Sequence, residues 1–86
     1  MPVICRFLGI MIFINYRDHN PPHFHARYQD FEATIDTNNL SVLSGKLPPR
    51  VLSLVVEWSS LHQQELIQNW DRARNREKLI DIQPLV

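Results

Sequence analysis

Three of the chain's four histidines, His19, His23 and His25, fall in the run Asp18-His19-Asn20-Pro21-Pro22-His23-Phe24-His25. Imidazole changes charge near neutral pH and is the commonest protein ligand for metals. Pro21 and Pro22 restrict the backbone between the histidines, and a backbone ordered in advance is what a binding site requires. From His23 onward the sequence alternates, so His23, His25 and Arg27 share one strand face while Phe24, Ala26 and Tyr28 share the other. The strand repeat sets the His23 and His25 backbones about 6–7 Å apart. Arg27 continues that row as a group able to hold an anion, and Asp18 is placed to orient a neighbouring imidazole.

Three chemistries fit these residue types. In the simplest, Asp18, Asn20 and the two prolines shape a turn, and the histidines bond to backbone or to one another. In the second, a histidine acts as general acid or base while Arg27 stabilises a phosphate, as in metal-free RNA cleavage. The third is a metal site with His19, His23 and His25 as ligands and Asp18 or Glu32 as a fourth. That spacing matches no standard zinc motif, so no metal and no other cofactor is expected. On the residues alone the three chemistries stay open; the tentative catalytic set is His19, His23, His25 and Arg27, with Asp18, Asn20, Pro21, Pro22 and His62 binding or shaping.

Other residues carry weaker signals. His62 lies on an apolar helical stripe with Asn69, where a histidine is usually a satisfied core residue; the alternative is support for the loop histidines. Glu57 falls on the opposite, solvated face. Arg72, Arg74, Arg76 and Lys78 gather at a helix C-terminus, which the helix dipole favours; an RNA-contacting patch is the competing reading. Trp58 and Trp70 read as core, and Cys5 as a small buried hydrophobe.

The elements that must position these groups divide the chain into a strand-forming first half and a helix-forming second half. Residues 3–5 suit a short strand before a bend at Gly9. Residues 10–16, apolar on both pleat faces, suit a central strand. The double proline must break the ladder before a strand over residues 23–28. Gln29-Asp30 is a turn, residues 31–36 alternate with Phe31, Ala33 and Ile35 inward, residues 37–39 turn again, and residues 40–43 form a last strand closed by Gly45. From Arg50 to about Arg74 there is no Gly or Pro, and Pro48-Pro49 opens this stretch where a missing N–H costs nothing. Its wide apolar surface calls for a helix buried on two sides or a break near Ser59-Ser60. Residues 79–82 suit a short closing strand. The expectation is one α+β domain over residues 1–86: an antiparallel sheet of three to five strands, followed by one long or broken helix packed on one face.

Bulk properties bound the function. At 86 residues the chain buries only about 60–65% of its unfolded surface, so its core is thin and a partner or a second copy would add burial. Nine acidic and nine basic side chains cancel, which removes bulk attraction to nucleic acid or anionic membrane and leaves only local patches. The single Cys5 excludes an intramolecular disulfide. No apolar run approaches the roughly 18 residues of a membrane span, and Met1-Pro2-Val3-Ile4-Cys5-Arg6 lacks the pattern of a signal peptide. The chain reads as cytoplasmic.

The histidine-proline run strongly resembles the signature of a small bacterial family known as domain of unknown function 4160. The resemblance extends to Arg6-Phe7-Leu8-Gly9-Ile10, Gly45-Lys46-Leu47-Pro48-Pro49-Arg50, Val56-Glu57-Trp58, Leu61-His62-Gln63-Gln64-Glu65-Leu66 and Asn69-Trp70, nearly the whole chain. Members of that family are short, are often encoded beside another small protein, and have been proposed as the toxin half of a toxin–antitoxin pair. The resemblance thus implies a cognate antitoxin as partner and makes the signature histidines candidates for a toxic activity. The wide apolar helix surface and thin core are compatible with such a partner and fit a homodimer equally well. The alternative reading is a non-catalytic protein- or RNA-binding module, or a His-lined metal-binding protein.

Overall fold

The computed structural model describes residues 2–86, so of the N-terminal run discussed above only Met1 lies outside the described residues. Alternating sequence becomes five strands: β1 (Val3–Phe7), β2 (Ile10–Phe13), β3 (His23–Tyr28), β4 (Phe31–Asp36) and β5 (Val42–Lys46). They pair antiparallel in chain order, a meander at the upper end of the expected strand count. Two helices follow, α1 (Pro49–Leu61) and α2 (Gln63–Arg74), which makes the architecture α+β.

Local chemistry explains most boundaries. Leu8 and Gly9 both take positive φ, +50° and +79°, the primed turn whose twist matches the flanking strands. β2 ends at Phe13 and does not run to residue 16 as expected. Phe13 stands opposite His25, so continuing that register would set Tyr16 against Pro22, which has no N–H to give. β5 is shifted from the expected residues 40–43. Asp36 Oδ1 accepts the N–H groups of Asn38 and Asn39 at 2.7 and 3.2 Å, and Leu40 takes a φ of +59°, so the strand starts at Val42. Gly45 lies inside the strand at φ +75°, where any Cβ would collide with the carbonyl oxygen of Glu32.

The expected single long or broken helix is two helices, parted at His62 and not at Ser59-Ser60. Ser59 Oγ donates to the Val55 carbonyl at 2.7 Å and Ser60 Oγ to the Glu57 carbonyl at 2.8 Å, so both serines bond back onto their own helix and do not break it. His62 instead leaves helical geometry, with φ −126° and ψ 25°.

One face of the sheet carries Phe7, Ile10, Ile12, Phe24, Ala26, Ala33 and Ile35, and Val51, Val55, Trp58 and Leu66 of the helices complete the core over it. Trp58 is wholly buried, with its ring 5.7 Å from Phe7 and 6.2 Å from Phe24. The expected strand at residues 79–82 is an extended tail with no ladder: Ile82 N–H bonds the Ile4 carbonyl at 2.8 Å, and side chains do the rest. Asn69 clasps Ile80 through both its amide atoms at 2.8 Å, and Trp58 Nε1 donates to the Gln83 carbonyl at 2.9 Å. Among the described residues no helix is long and apolar enough to cross a membrane.

Candidate functional site

The second face of the sheet is set by strand alternation. Cross-strand register aligns Phe13, His25 and Thr34 in one row and Met11, Arg27 and Glu32 in the next. Phe13 is buried although it stands apart from the helix-covered core. Its ring stacks on His25 at 4.8 Å and lies 5.4 Å below the Arg27 guanidinium. His23, at the start of β3, packs against His25 at 5.1 Å and against Trp70 of α2 at 5.0 Å. Each imidazole therefore has its plane fixed by an aromatic neighbour.

Residues 14–22, the loop before β3, bring Asp18 back over these rings. Asp18 Oδ2 lies 2.8 Å from His25 Nε2 and 3.1 Å from His23 Nε2, so one carboxylate oxygen serves both. The side chains are largely covered, 21% exposed for Asp18, 11% for His23 and 12% for His25. Partial burial pushes the Asp18 carboxyl up, but the hydrogen bond and charge of His25, then those of His23, outweigh it, and the group titrates below the ordinary carboxylate range. On their far sides His23 Nδ1 meets the Pro21 carbonyl at 2.7 Å and His25 Nδ1 meets Thr34 Oγ1 at 3.3 Å. The peptide between Asn20 and Pro21 is cis.

Of the residues singled out by sequence, the fold brings together Asp18, His23 and His25. His19 is exposed and stands outside the cluster; Asp18 takes the third place that spacing assigned to His19. Arg27 shares the face, but its Nε and Nη2 both bond Glu32 Oε1, at 3.0 and 2.8 Å, so its charge is already engaged. Asn20 and Pro21 are exposed in the loop, while Pro22 lends its carbonyl to the Thr37 N–H at 3.0 Å. His62 sits at the helix junction, bonded to Glu65 Oε1 at 2.7 Å and packed on Trp58, and takes no part in the cluster.

Sequence reasoning missed Phe13, Thr34 and Trp70 as supports. Pairing β4 to β3 through the tight Gln29-Asp30 turn would have found Thr34, whereas Phe13 and Trp70 reach the site across longer connections. It also missed a recess of about 410 Å³ beside the cluster, lined by Tyr16, Arg17, Asp18, His19, Arg74 and Arg76. Arg74 and Arg76 come from the basic helix end, and Arg74 stacks over Trp70 at 5.9 Å. A larger recess of about 470 Å³ lies between β1 and the C-terminal tail, lined by Cys5, Arg6 and Asp81 among others, and contains no histidine.

The fold and site define a class: a small α+β protein with a carboxylate and two imidazoles clustered on the second face of an antiparallel meander. Residues 9–71, most of the chain, match the family described as domain of unknown function (DUF4160), and the chain belongs to that family. No curated protein and no solved structure matches it.

Proposed function

We propose that this chain is a toxin-like component of a bacterial toxin–antitoxin pair and acts in the cytoplasm on RNA phosphodiesters. The observation that carries the reading is that Asp18 belongs to two places at once, the histidine cluster and the arginine-lined recess. Cleaving an RNA phosphodiester requires groups that move protons at the attacking and leaving oxygens, and cations to hold the charge that develops on phosphorus. His23 and His25 are the proton-moving groups, and Asp18 positions both rings. Arg17, Arg74 and Arg76 supply the cations, a role that the Glu32-bound Arg27 is poorly placed to take. The cancelled net charge is no obstacle, since the positive charge is local.

A cognate antitoxin, encoded beside the chain, is the partner this reading calls for. Exposed apolar side chains such as Leu43 and Leu61 are available for it or for a second copy. Expression of the wild type is expected to arrest growth, co-expression of the neighbouring gene to relieve the arrest, and His23→Ala and His25→Ala to fold and be harmless. Full toxicity of both variants, or a wild type without effect on growth, would end this reading.

A further inference from the structure

The hydrogens of the cluster can be assigned from its hydrogen-bond partners. A carbonyl oxygen has no hydrogen to give, so the 2.7 Å contact with Pro21 makes His23 Nδ1 the donor. In the neutral ring Nε2 is then a bare lone pair, and it faces the lone pairs of Asp18 Oδ2 at 3.1 Å. His25 has the same choice. Its Nδ1 has an acceptor in Thr34 Oγ1 at 3.3 Å, with the Glu32 carboxylate beyond it at 3.9 Å, while the Asn15 amide approaches Nε2 at 3.5 Å as a donor. With Nδ1 protonated in both rings, three lone-pair atoms converge and all lie within 4.8 Å of one another.

We propose that Asp18 Oδ2, His23 Nε2 and His25 Nε2 bind one divalent first-row transition-metal ion, zinc being the representative. Ligands at about 2.0–2.2 Å from a common ion, at angles near tetrahedral, stand roughly 3.3–3.6 Å from each other. The Asp18 contacts, 2.8 and 3.1 Å, have to open by a few tenths of an ångström, and the three ligand atoms already lie within 4.8 Å of one another. Two imidazoles and one carboxylate suit zinc, iron(II) or nickel better than the hard cations calcium and magnesium.

The surroundings are those a metal-bound imidazole needs. Such rings hand their other N–H to a carbonyl, hydroxyl or carboxylate, which fixes tautomer and orientation. The Pro21 carbonyl does this for His23, and the Thr34 hydroxyl does it for His25. Phe13 and Trp70 flank the rings and hold their planes. Three protein ligands leave a fourth position, and the partial exposure of Asp18 opens it toward solvent beside the arginine recess. An open position of this kind takes water or a phosphate oxygen, which is the pattern of a reactive site and not of a structural one. The inference rests on the same cluster as the RNA-directed reading and replaces one part of it: with the ion bound, His23 and His25 Nε2 are ligands and no longer move protons, and the ion supplies an electrophile instead.

The test is calorimetric titration of the whole chain, purified without a histidine tag and stripped with chelator, using zinc sulfate and then manganese, iron(II) and nickel salts. One saturable site per chain is expected, weakened at least about tenfold in His25→Ala and in Asp18→Asn, and about as strong as wild type in His19→Ala and His62→Ala. Cobalt(II) loaded into the wild type should also give a visible absorption band that Asp18→Asn alters, a readout independent of variant stability. Absence of saturable binding by any of these ions up to about 1 mM would overturn the site, as would undiminished binding by a folded Asp18→Asn. Metal binding without growth arrest sinks the toxin reading and leaves the metal site standing. RNA cleavage that persists in chelator, with no metal bound by the wild type, sinks the metal site and leaves the RNA reading.

Discussion

Strand β3 carries two regions of opposite character one residue apart. Phe24 and Ala26 point into the core and are fully buried, with Trp58 edge-on to Phe24 at 6.2 Å. His23 and His25 point to the other face, where their neighbours are a carboxylate, a carbonyl, a hydroxyl and two aromatic rings. Apolar burial is non-directional and grows with area, so the first region is stabilised by many atoms and each contributes a little. The second depends on donor and acceptor directions, so a few atoms decide it and the total is small. The difference teaches that this chain sets its apolar core and its directional polar cluster on opposite sides of a single sheet, with Trp70 of α2 in contact with both.

The strongest way to break that comparison is to truncate one residue from each side. Phe24→Ala should cost about 3–5 kcal/mol in a urea unfolding curve, enough to unfold a domain this small, because it leaves a cavity against Trp58. His25→Ala should cost roughly 1 kcal/mol or less on the same scale. Equal losses would mean that the two faces are not energetically distinct.

A smaller effect sharpens where the fold itself uses direction. Asn69 is buried and bonds Ile80 twice at 2.8 Å, so Asn69→Ala should cost about 1–3 kcal/mol. Amide exchange should show that residues 79–83 lose protection before the sheet does. A tail that keeps its protection in this variant would show that Leu79 and Ile82 alone hold it.

The apolar side can also be probed by pH through Cys5. Burial pushes its thiol up, the nearby Asp81 charge adds to this, and a backbone hydrogen bond at Arg6 only partly opposes it. As pH rises past the ordinary thiol value, the unfolded chain releases this proton first, so stability should fall in that alkaline window and not below it. Alkylation of the native protein should accordingly begin at higher pH than that of a free thiol, and urea should abolish the lag. Native reactivity equal to the unfolded rate would place Cys5 outside the core.

The smallest expected change is at Thr37, whose buried hydroxyl finds no partner among the described residues. Thr37→Val should leave the urea midpoint unchanged or slightly raised, since no hydrogen bond is lost and a desolvated polar group is removed. A clear loss would reveal a partner for that hydroxyl.

Sequence made the layers legible because strand and helix periods are local properties. The alternation of residues 23–28 and 31–36 placed Phe24, Ala26, Ala33 and Ile35 inward, as found. The ladder break at the prolines and the loop expected to contain the site were readable for the same reason. The ends of β2 and β5, the helix junction at His62 and the tail were not. Each turns on a partner far along the chain, such as Ile4 for Ile82, or on a side chain bonding back to its own helix, as Ser59 does.

By itself the sequence determined that His23 and His25 share a face and that Asp18 is near enough to reach them. Only the tertiary structure decided that Asp18, and not His19, completes the group, that Glu32 engages Arg27, and that Arg17 meets Arg74 and Arg76 around one recess. The physical reason is range. Backbone periodicity fixes the side to which a side chain points, whereas the meeting of particular atoms depends on the path of residues 14–22 and on the docking of α2 against β3.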